Sequence, residues 1–296
     1  MRLSDEEELL QMAALRGGSY LIKRLAAPVI GPVWLIELRV LIAGLALLPL
    51  LVRFLRSHPE SRSNLRKKLS VLFVVGCVNS ALPFLLLAFA SVFLPAGYTS
   101  ILNATTPLFG MVIAAIWFQE PLTLTRLLGL ELGFSVVVVL NGLLTFAVTP
   151  LIGAAMVSGL GAAGFYAIAA PYAKRHLSGM SPIVTATVSQ LSAAVAIFPF
   201  LPFTIPSVIP AANIVGAIVA LAIFSTSLAY LLYFRLIQNI GSTKALTVTY
   251  LVPIFAMLWG SLILGEVITM PMVSGCGLIL LGTAIANDIF VTRLKL

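Results

Sequence analysis

Two long stretches of this sequence are almost continuously apolar and carry no formal charge. The first covers the 51 residues between Lys68 and Glu120, and the second covers the 59 residues between Arg175 and Arg235, with His176 counted as neutral. A helix needs about 20 apolar residues to cross a bilayer, so each stretch holds two crossings and a turn. Neither stretch alternates apolar and polar positions as a membrane barrel strand does, and helices are therefore predicted.

Turn-forming residues mark where each of these stretches divides into two helices. Pro95 and Gly97 interrupt the first stretch, and four prolines between Pro199 and Pro210 interrupt the second. The predicted spans are 9–30, 33–53, 70–93, 96–118, 124–143, 151–173, 182–201, 211–234, 243–264 and 268–290. The predicted fold class is an all-α membrane protein with ten transmembrane helices.

The composition agrees with a membrane protein and excludes several other classes. Hydrophobic residues make up 60% of the chain and charged residues 9%, against about a quarter charged in a soluble domain. The net charge of +8 comes from basic residues in predicted loops, so it indicates membrane topology rather than nucleic-acid binding. Cys77 and Cys276 lie in apolar runs without metal-ligand spacing. We expect a small-molecule substrate and a lipid environment, with no metal or cofactor, and the oligomeric state stays open.

Charges at the start of the chain and in one loop predict the orientation. Residues 5–8 are acidic, unlike the basic start of a signal peptide, so the first helix is expected to be retained. Six basic residues lie between Arg53 and Lys68, and short loops rich in Lys and Arg stay in the cytoplasm. Counting spans from this loop places both termini in the cytoplasm.

The chain also contains an internal repeat. An offset of 146 residues superimposes Pro107 on Pro253 and Glu120 on Glu266, together with several Leu, Phe, Met and Gly positions between residues 82 and 129. Each half, 1–146 and 147–296, then holds five spans. Because an odd number of spans reverses direction, the halves are predicted to be inverted, with Glu120 at the inner face and Glu266 at the outer face.

The residues also resemble a known family. Asn79 to Thr123 reads NSALPFLLLAFASVFLPAGYTSILNATTPLFGMVIAAIWFQEPLT, and this stretch resembles the EamA domain of the drug/metabolite transporter superfamily. The match extends to Arg39, to the small and aromatic residues at 17–20, and to a looser second copy around Pro253 and Glu266. The resemblance implies a carrier of amino acids, other metabolites or drugs in a bacterial inner membrane. The ten-helix amino-acid exporters of the YddG type fit best, which also implies export.

Polar residues inside the predicted spans are the candidates for a substrate cavity. They are Asn79, Ser80, Tyr98, Thr99, Asn103, Thr106, Tyr166, Tyr230, Thr247 and Tyr250. For the Ser and Thr residues, hydrogen bonding between helices is an equal alternative. Pro107 and Pro253 are each predicted to lie about 16 Å from the start of their span, near the middle of the membrane. Their kinks either serve gating and substrate binding or are simple packing features. A kink frees backbone carbonyls that a ligand could use.

Charged residues within spans are costly and are often functional. Glu37 and Arg39 lie near a predicted helix end, where snorkelling to the interface is expected. Glu131 is either a proton carrier or a partner in a structural ion pair, with Arg126 among the candidate partners. Glu120 and Glu266 are expected to cap helix ends and hold turns. Arg16 and Lys23 interrupt the first span and leave its role open.

Three functional classes follow from these features. The leading prediction is a carrier that exports neutral or aromatic amino acids by alternating access around a central, mostly uncharged cavity, without obligatory proton coupling. The alternative is a proton-coupled multidrug exporter of lipophilic cations, which Glu131 keeps open. An intramembrane enzyme is disfavoured, because the sequence has no HExxH or GxGD motif and its two histidines, His58 and His176, lie in predicted loops.

Overall fold

The computed structural model describes residues 3–117, 119–142, 149–230, 232 and 248–286, and these residues are predominantly helical. The described residues of the first half contain eight α-helices. In chain order they are α1 Leu3–Ile30, α2 Pro32–Ser57, α3 Glu60–Lys67, α4 Leu69–Gly76, α5 Leu82–Phe93, α6 Ala96–Asn103, α7 Thr106–Trp117 and α8 Leu124–Gly142. The second half contains α9 Pro150–His176, α10 Pro182–Ile197, α11 Ala212–Ala222, α12 Val248–Leu264 and α13 Met270–Ala286 among the described residues.

Several helix boundaries follow directly from local sequence. Gly31 separates α1 from α2 with a positive φ of 78°, and Pro32 begins α2, where the missing proline N–H has no helical partner to lose. Pro150 and Pro182 begin α9 and α10 in the same way, and the Thr149 side chain caps α9 by accepting from the Ile152 N–H. These prolines therefore act as helix starts rather than helix breakers.

Five helical segments among the described residues are long and apolar enough to cross a membrane. They are Pro32–Ser57, Leu69–Phe93, Ala96–Trp117, Pro150–His176 and Pro182–Phe203. Shorter apolar helices follow at Ala212–Leu228, Val248–Leu264 and Met270–Ile285. Many of their large apolar side chains face outward, as expected for helices whose solvent is lipid.

Helices from the two halves of the chain pack extensively against each other. α2 packs along α10, α8 along α13, α1 along α12 and α11, and α9 along α5, α6 and α7. The α8–α13 contact is so close that a Cβ on Gly282 would lie 2.7 Å from the Gly133 nitrogen. The halves therefore share one interior, and polar groups from both reach it.

Candidate substrate site

Two turns of π-helix interrupt long helices at equivalent places in the two halves. The first, Cys77–Ala81, lies between α4 and α5, and the second, Ile223–Leu228, follows α11. The 146-residue offset of the repeat superimposes their first residues. Such turns widen a helix and redirect its side chains, and they are frequent at functional sites. Here they carry Asn79 and Ser80 in one half and Thr226 in the other.

The fourth predicted span is broken near its middle. α6 ends at Asn103 and α7 begins at Thr106, with Pro107 in the first turn of α7. Because Pro107 lacks an N–H, the Asn103 carbonyl has no helical donor, and the Thr106 hydroxyl donates to it at 2.6 Å. A neighbouring side chain thus satisfies one lone pair of this freed carbonyl. The buried Asn103 Oδ1 oxygen, in contrast, has no partner among the described residues. Pro253 lies buried inside α12, which continues on both sides of it.

Arg39 of α2 lies at the centre of the polar residues and is 5% exposed. Its Nε donates to the Thr226 hydroxyl at 3.0 Å, and its guanidinium carbon lies 3.7 Å from the centre of the Phe84 ring. The expectation that Arg39 and Glu37 snorkel to the interface is wrong, because both side chains are buried within the protein. Arg39 therefore faces the protein interior.

One face of α1 adds further basic and aromatic groups. Arg16, Tyr20 and Lys23 recur at helical spacing, and Tyr20 and Arg16 lie near Arg39. Lys23 is 1% exposed, with its ammonium 3.8 Å from the centre of the Tyr20 ring, and the Asn103 side chain interacts with the Tyr20 hydroxyl. These residues were not among the site candidates predicted from the sequence, although their spacing at i, i+4 and i+7 indicates a shared helix face.

The second half completes the cluster with neutral polar groups. Tyr166 of α9 and Tyr230 lie near Arg39, and the Asn79 amide donates to the Tyr230 hydroxyl at 3.5 Å. Gln190 of α10 is fully buried and donates to the Ser80 hydroxyl at 3.1 Å. Gln190 was also missed, although an amide inside an apolar span is an unusual residue. We name the set Tyr20, Lys23, Arg39, Asn79, Asn103, Tyr166, Thr226 and Tyr230 the central polar cluster.

The remaining candidates lie elsewhere. Tyr98 packs in an apolar cluster with Leu94 and Met257, and the Thr99 hydroxyl bonds to the Pro95 carbonyl within its own helix. Tyr250 is half-buried and interacts with a side chain of α13. Thr247 lies outside the described residues.

Glu131 is exposed on α8 and lies apart from the central polar cluster. Its suggested partner Arg126 instead pairs with Glu120 at 3.0 Å. This ion pair is largely exposed and stays within the segment that joins α7 to α8. A metal-binding group of three or more His, Cys, Asp and Glu residues is not found in the described part of the chain.

Glu266, in the turn between α12 and α13, connects the two halves. Its carboxylate accepts the Ala96 N–H at 3.0 Å, which caps the start of α6, and lies 3.4 Å from the Arg24 Nε. Arg24 also donates to the carbonyls of Ser91 and Val92, at 3.1 and 2.7 Å, at the end of α5. Burial raises the pKa of the Glu266 carboxyl, although the Ala96 amide and Arg24 act in the opposite direction. We name Arg24, Glu266 and Ala96 the latch.

An apolar groove lies beside the cluster, between α1, α11 and α12. Its volume is about 690 Å³, and Leu15, Phe224 and Trp259 contribute to its walls. The Ser225 hydroxyl at its edge donates to the Leu15 carbonyl, which ties the second π-helical turn to α1. The groove and the cluster thus share the same helices.

Comparison with known proteins defines the class of protein. The model of the EamA-like transporter family matches the chain twice, at residues 9–142 and 153–287, and the chain therefore belongs to this family. An uncharacterized transporter of Archaeoglobus fulgidus is 29% identical over 216 residues, covering 73% of this chain and 76% of that protein. The uncharacterized transporter YvbV of Bacillus subtilis is 24% identical over 258 residues, covering 86% and 82%.

A solved crystal structure shares the fold along the entire length of both chains. Its TM-score is 0.64 at 19% sequence identity, a likeness that concerns the fold alone. Together with the family membership and the apolar helices, it describes a multi-pass membrane transporter of small molecules.

Proposed function

We propose that the protein exports small metabolites, with neutral and aromatic amino acids as the substrate class, by alternating access around the central polar cluster. The observation that carries this proposal is the convergence of polar groups from both EamA segments on Arg39. Substrate sites of transporters built from repeats lie at the interface between the repeats. The broken helix at Asn103 and the two π-helical turns are the irregular backbone expected at such a site.

The helix contacts support two inverted five-helix halves, and we propose a bacterial inner membrane as their location from the resemblance to bacterial exporters. α2 with α10 and α8 with α13 each pair a helix with its repeat counterpart. The packing of α1 on α12 corresponds to that of α9 on α6 and α7, and the packing of α4 on α9 corresponds to that of α11 on α1. Such reciprocal contacts are what a pseudo-twofold axis between the halves produces. The basic loop between α2 and α4 favours cytoplasmic termini.

The latch suggests which face is closed in this conformation. Glu266 joins its turn to α6 and α1 of the other half, whereas the described ion pair of Glu120 stays within its own segment. With the predicted orientation, Glu266 lies at the outer face, so the outer entrance is closed here. Opening it requires the latch to break, and inverted symmetry assigns Glu120 the corresponding role at the inner face.

An amino acid matches the groups in the cluster. Tyrosine hydroxyls and Arg39 donate to a carboxylate, the Asn103 Oδ1 oxygen accepts from an ammonium, and Phe84 offers an apolar wall. The central polar cluster also contains two buried basic side chains, Lys23 and Arg39, beside its neutral groups. Buried positive charge disfavours lipophilic cations, and Glu131 lies too far out to neutralise it. The apolar groove is the one feature that favours a lipophilic drug.

A counterflow experiment tests the proposal. Proteoliposomes loaded with unlabelled threonine, methionine or phenylalanine should accumulate the labelled form with no pH gradient. Liposomes without protein and protein liposomes loaded with glucose serve as controls. If a lipophilic cation exchanges and none of the amino acids does, the amino-acid proposal is wrong and the multidrug function replaces it.

A further inference from the structure

The central polar cluster carries basic side chains that aromatic rings and hydroxyls hold. The Lys23 ammonium faces the Tyr20 ring, and the Arg39 guanidinium lies between the Phe84 ring and the Thr226 hydroxyl. Aromatic faces attract a cation but carry no net charge to balance it. A buried charge without a counterion is costly, so such groups are usually paired.

The described carboxylates do not supply that counterion. Glu266 pairs with Arg24, and Glu120 pairs with Arg126, both away from the cluster. The charged neighbour that acts on Lys23 is Arg39, and the neighbours acting on Arg39 are tyrosines and Arg16. Among the described residues, therefore, the neighbours of the Lys23 and Arg39 side chains are aromatic rings, hydroxyls and other basic groups.

The basic groups of the cluster come from one half of the chain. Tyr20 of α1 and Tyr166 of α9, one from each half, both lie near Arg39. Lys23 and Arg39 both belong to the first half, whereas the residues that the second half adds to the cluster, Tyr166, Thr226 and Tyr230, are neutral.

We infer that Lys23 and Arg39 bind the carboxylate of the transported solute, and that this carboxylate contributes more to recognition than an ammonium group does. The inference rests on the proposed carrier function, because it names the group by which that carrier holds its substrate. Two cationic donors suit a carboxylate, whose oxygens accept charge-assisted hydrogen bonds. The neutral Asn103 Oδ1 oxygen accepts equally well from an ammonium or from a hydroxyl group.

A panel of three compounds with one side chain tests this inference on the wild-type protein. L-phenylalanine, L-phenyllactate and L-phenylalaninamide are compared as competitors of labelled phenylalanine exchange and as stabilisers of the purified full-length chain against heat. Phenyllactate keeps the carboxylate and replaces the ammonium, whereas the amide keeps the ammonium and loses the carboxylate. Phenyllactate should compete as well as phenylalanine, and the amide should be weaker by about tenfold or more.

Variants of Lys23 and a control at Arg53 test whether Lys23 binds the carboxylate. Lys23→Met should weaken competition and heat stabilisation by phenyllactate about tenfold or more, and Lys23→Arg should restore them. Arg53→Met removes one positive charge from an exposed position near the end of α2 and should change neither. Equal responses of Lys23→Met and Arg53→Met to phenyllactate would overturn the assignment to Lys23. If Lys23→Met does not fold, the wild-type panel still decides whether the carboxylate dominates.

The outcomes separate this inference from the proposed function. If phenylalanine exchanges and the amide competes equally well, the carboxylate inference fails while the amino-acid carrier stands. If phenyllactate stabilises the protein and phenylalanine neither binds nor exchanges, the inference holds and the amino-acid substrate class fails. If none of the three compounds binds or exchanges, both are wrong.

Discussion

Removing Arg24 should open the face of the protein that the latch closes. Arg24→Met keeps most of the aliphatic stem and deletes the guanidinium, which binds Glu266 and the carbonyls of Ser91 and Val92. The substitution also leaves the Glu266 carboxylate without its cation. The latched state therefore loses these interactions, whereas a state with the outer entrance open has already given them up.

The magnitude follows from the contacts. A hydrogen bond to a charged group contributes about 1.5–3 kcal/mol when buried, and an exposed ion pair about 0–1 kcal/mol. The Arg24 side chain is 31% exposed, which reduces both contributions. Together these contributions predict that Arg24→Met destabilises the latched state by about 2 kcal/mol relative to the open state. This change in free energy shifts the ratio of latched to open protein by about 30-fold.

Cysteine accessibility measures this shift. Thr99 is fully buried one turn after Ala96, so Thr99→Cys in a background without Cys77 and Cys276 reports opening near the latch. With the predicted orientation, an impermeant thiol reagent added outside should label this cysteine at least several times faster in Arg24→Met than in the parent.

Two further variants serve as a control and as an independent test. Arg126→Met breaks the exposed pair with Glu120 and should leave the labelling rate unchanged. Gly260→Ala should accelerate labelling without touching Arg24, because the new Cβ would lie 2.5 Å from the Glu266 Oε2 oxygen and displace it. If Arg24→Met labels at the parental rate while the protein remains folded and active, Arg24 does not hold this face closed.

The remaining predictions concern pH, topology, packing and the broken helix. Burial raises the pKa of Glu266 in the latched state, so this state binds a proton more tightly than an open, hydrated state does. Lowering the pH from the raised pKa toward the ordinary value of about 4.3 should therefore favour the latched state and slow labelling of the Thr99→Cys thiol from outside. Glu266→Gln should abolish this pH response. A cysteine replacing Glu266 should react with an impermeant reagent from outside and one replacing Glu120 should not; equal labelling would contradict the inverted topology. Gly282→Ala should destabilise the protein by about 1–3 kcal/mol, because its Cβ would meet the α8 backbone, whereas Gly277→Ala has open space and should be neutral in thermal unfolding. Pro107→Ala would supply the missing N–H and favour a continuous helix, so counterflow should slow while the melting temperature stays within a few degrees; unchanged transport would reduce Pro107 to a packing residue.

Local signals in the sequence located most helices but could not show which faces meet. The predicted spans beginning at residues 96, 151 and 182 correspond to helices that begin at Ala96, Pro150 and Pro182, because proline and small residues set those starts. The contact between Arg39 and Thr226 joins residues 187 positions apart, and no periodicity within one helix specifies it. Glu266 was expected to cap a helix end, but the sequence did not indicate that the capped helix belongs to the other half. Only the packed helices reveal such partners.

The two halves of the chain supply similar helices to the central polar cluster, but only the first half supplies its basic residues. The two π-helical turns recur in both halves, whereas Arg16, Lys23 and Arg39 all belong to the first half. The hydrogen bond from Arg39 to Thr226 therefore crosses between the halves, from a cation to a neutral acceptor. If a substrate carboxylate binds Arg39, it competes with Thr226 for the same guanidinium, and binding weakens one contact that fixes the halves in this conformation. A ligand shifts a conformational equilibrium only through such a difference in affinity between two states. Within the proposed mechanism, the Arg39–Thr226 contact is where occupancy of the site and rocking of the halves would be coupled.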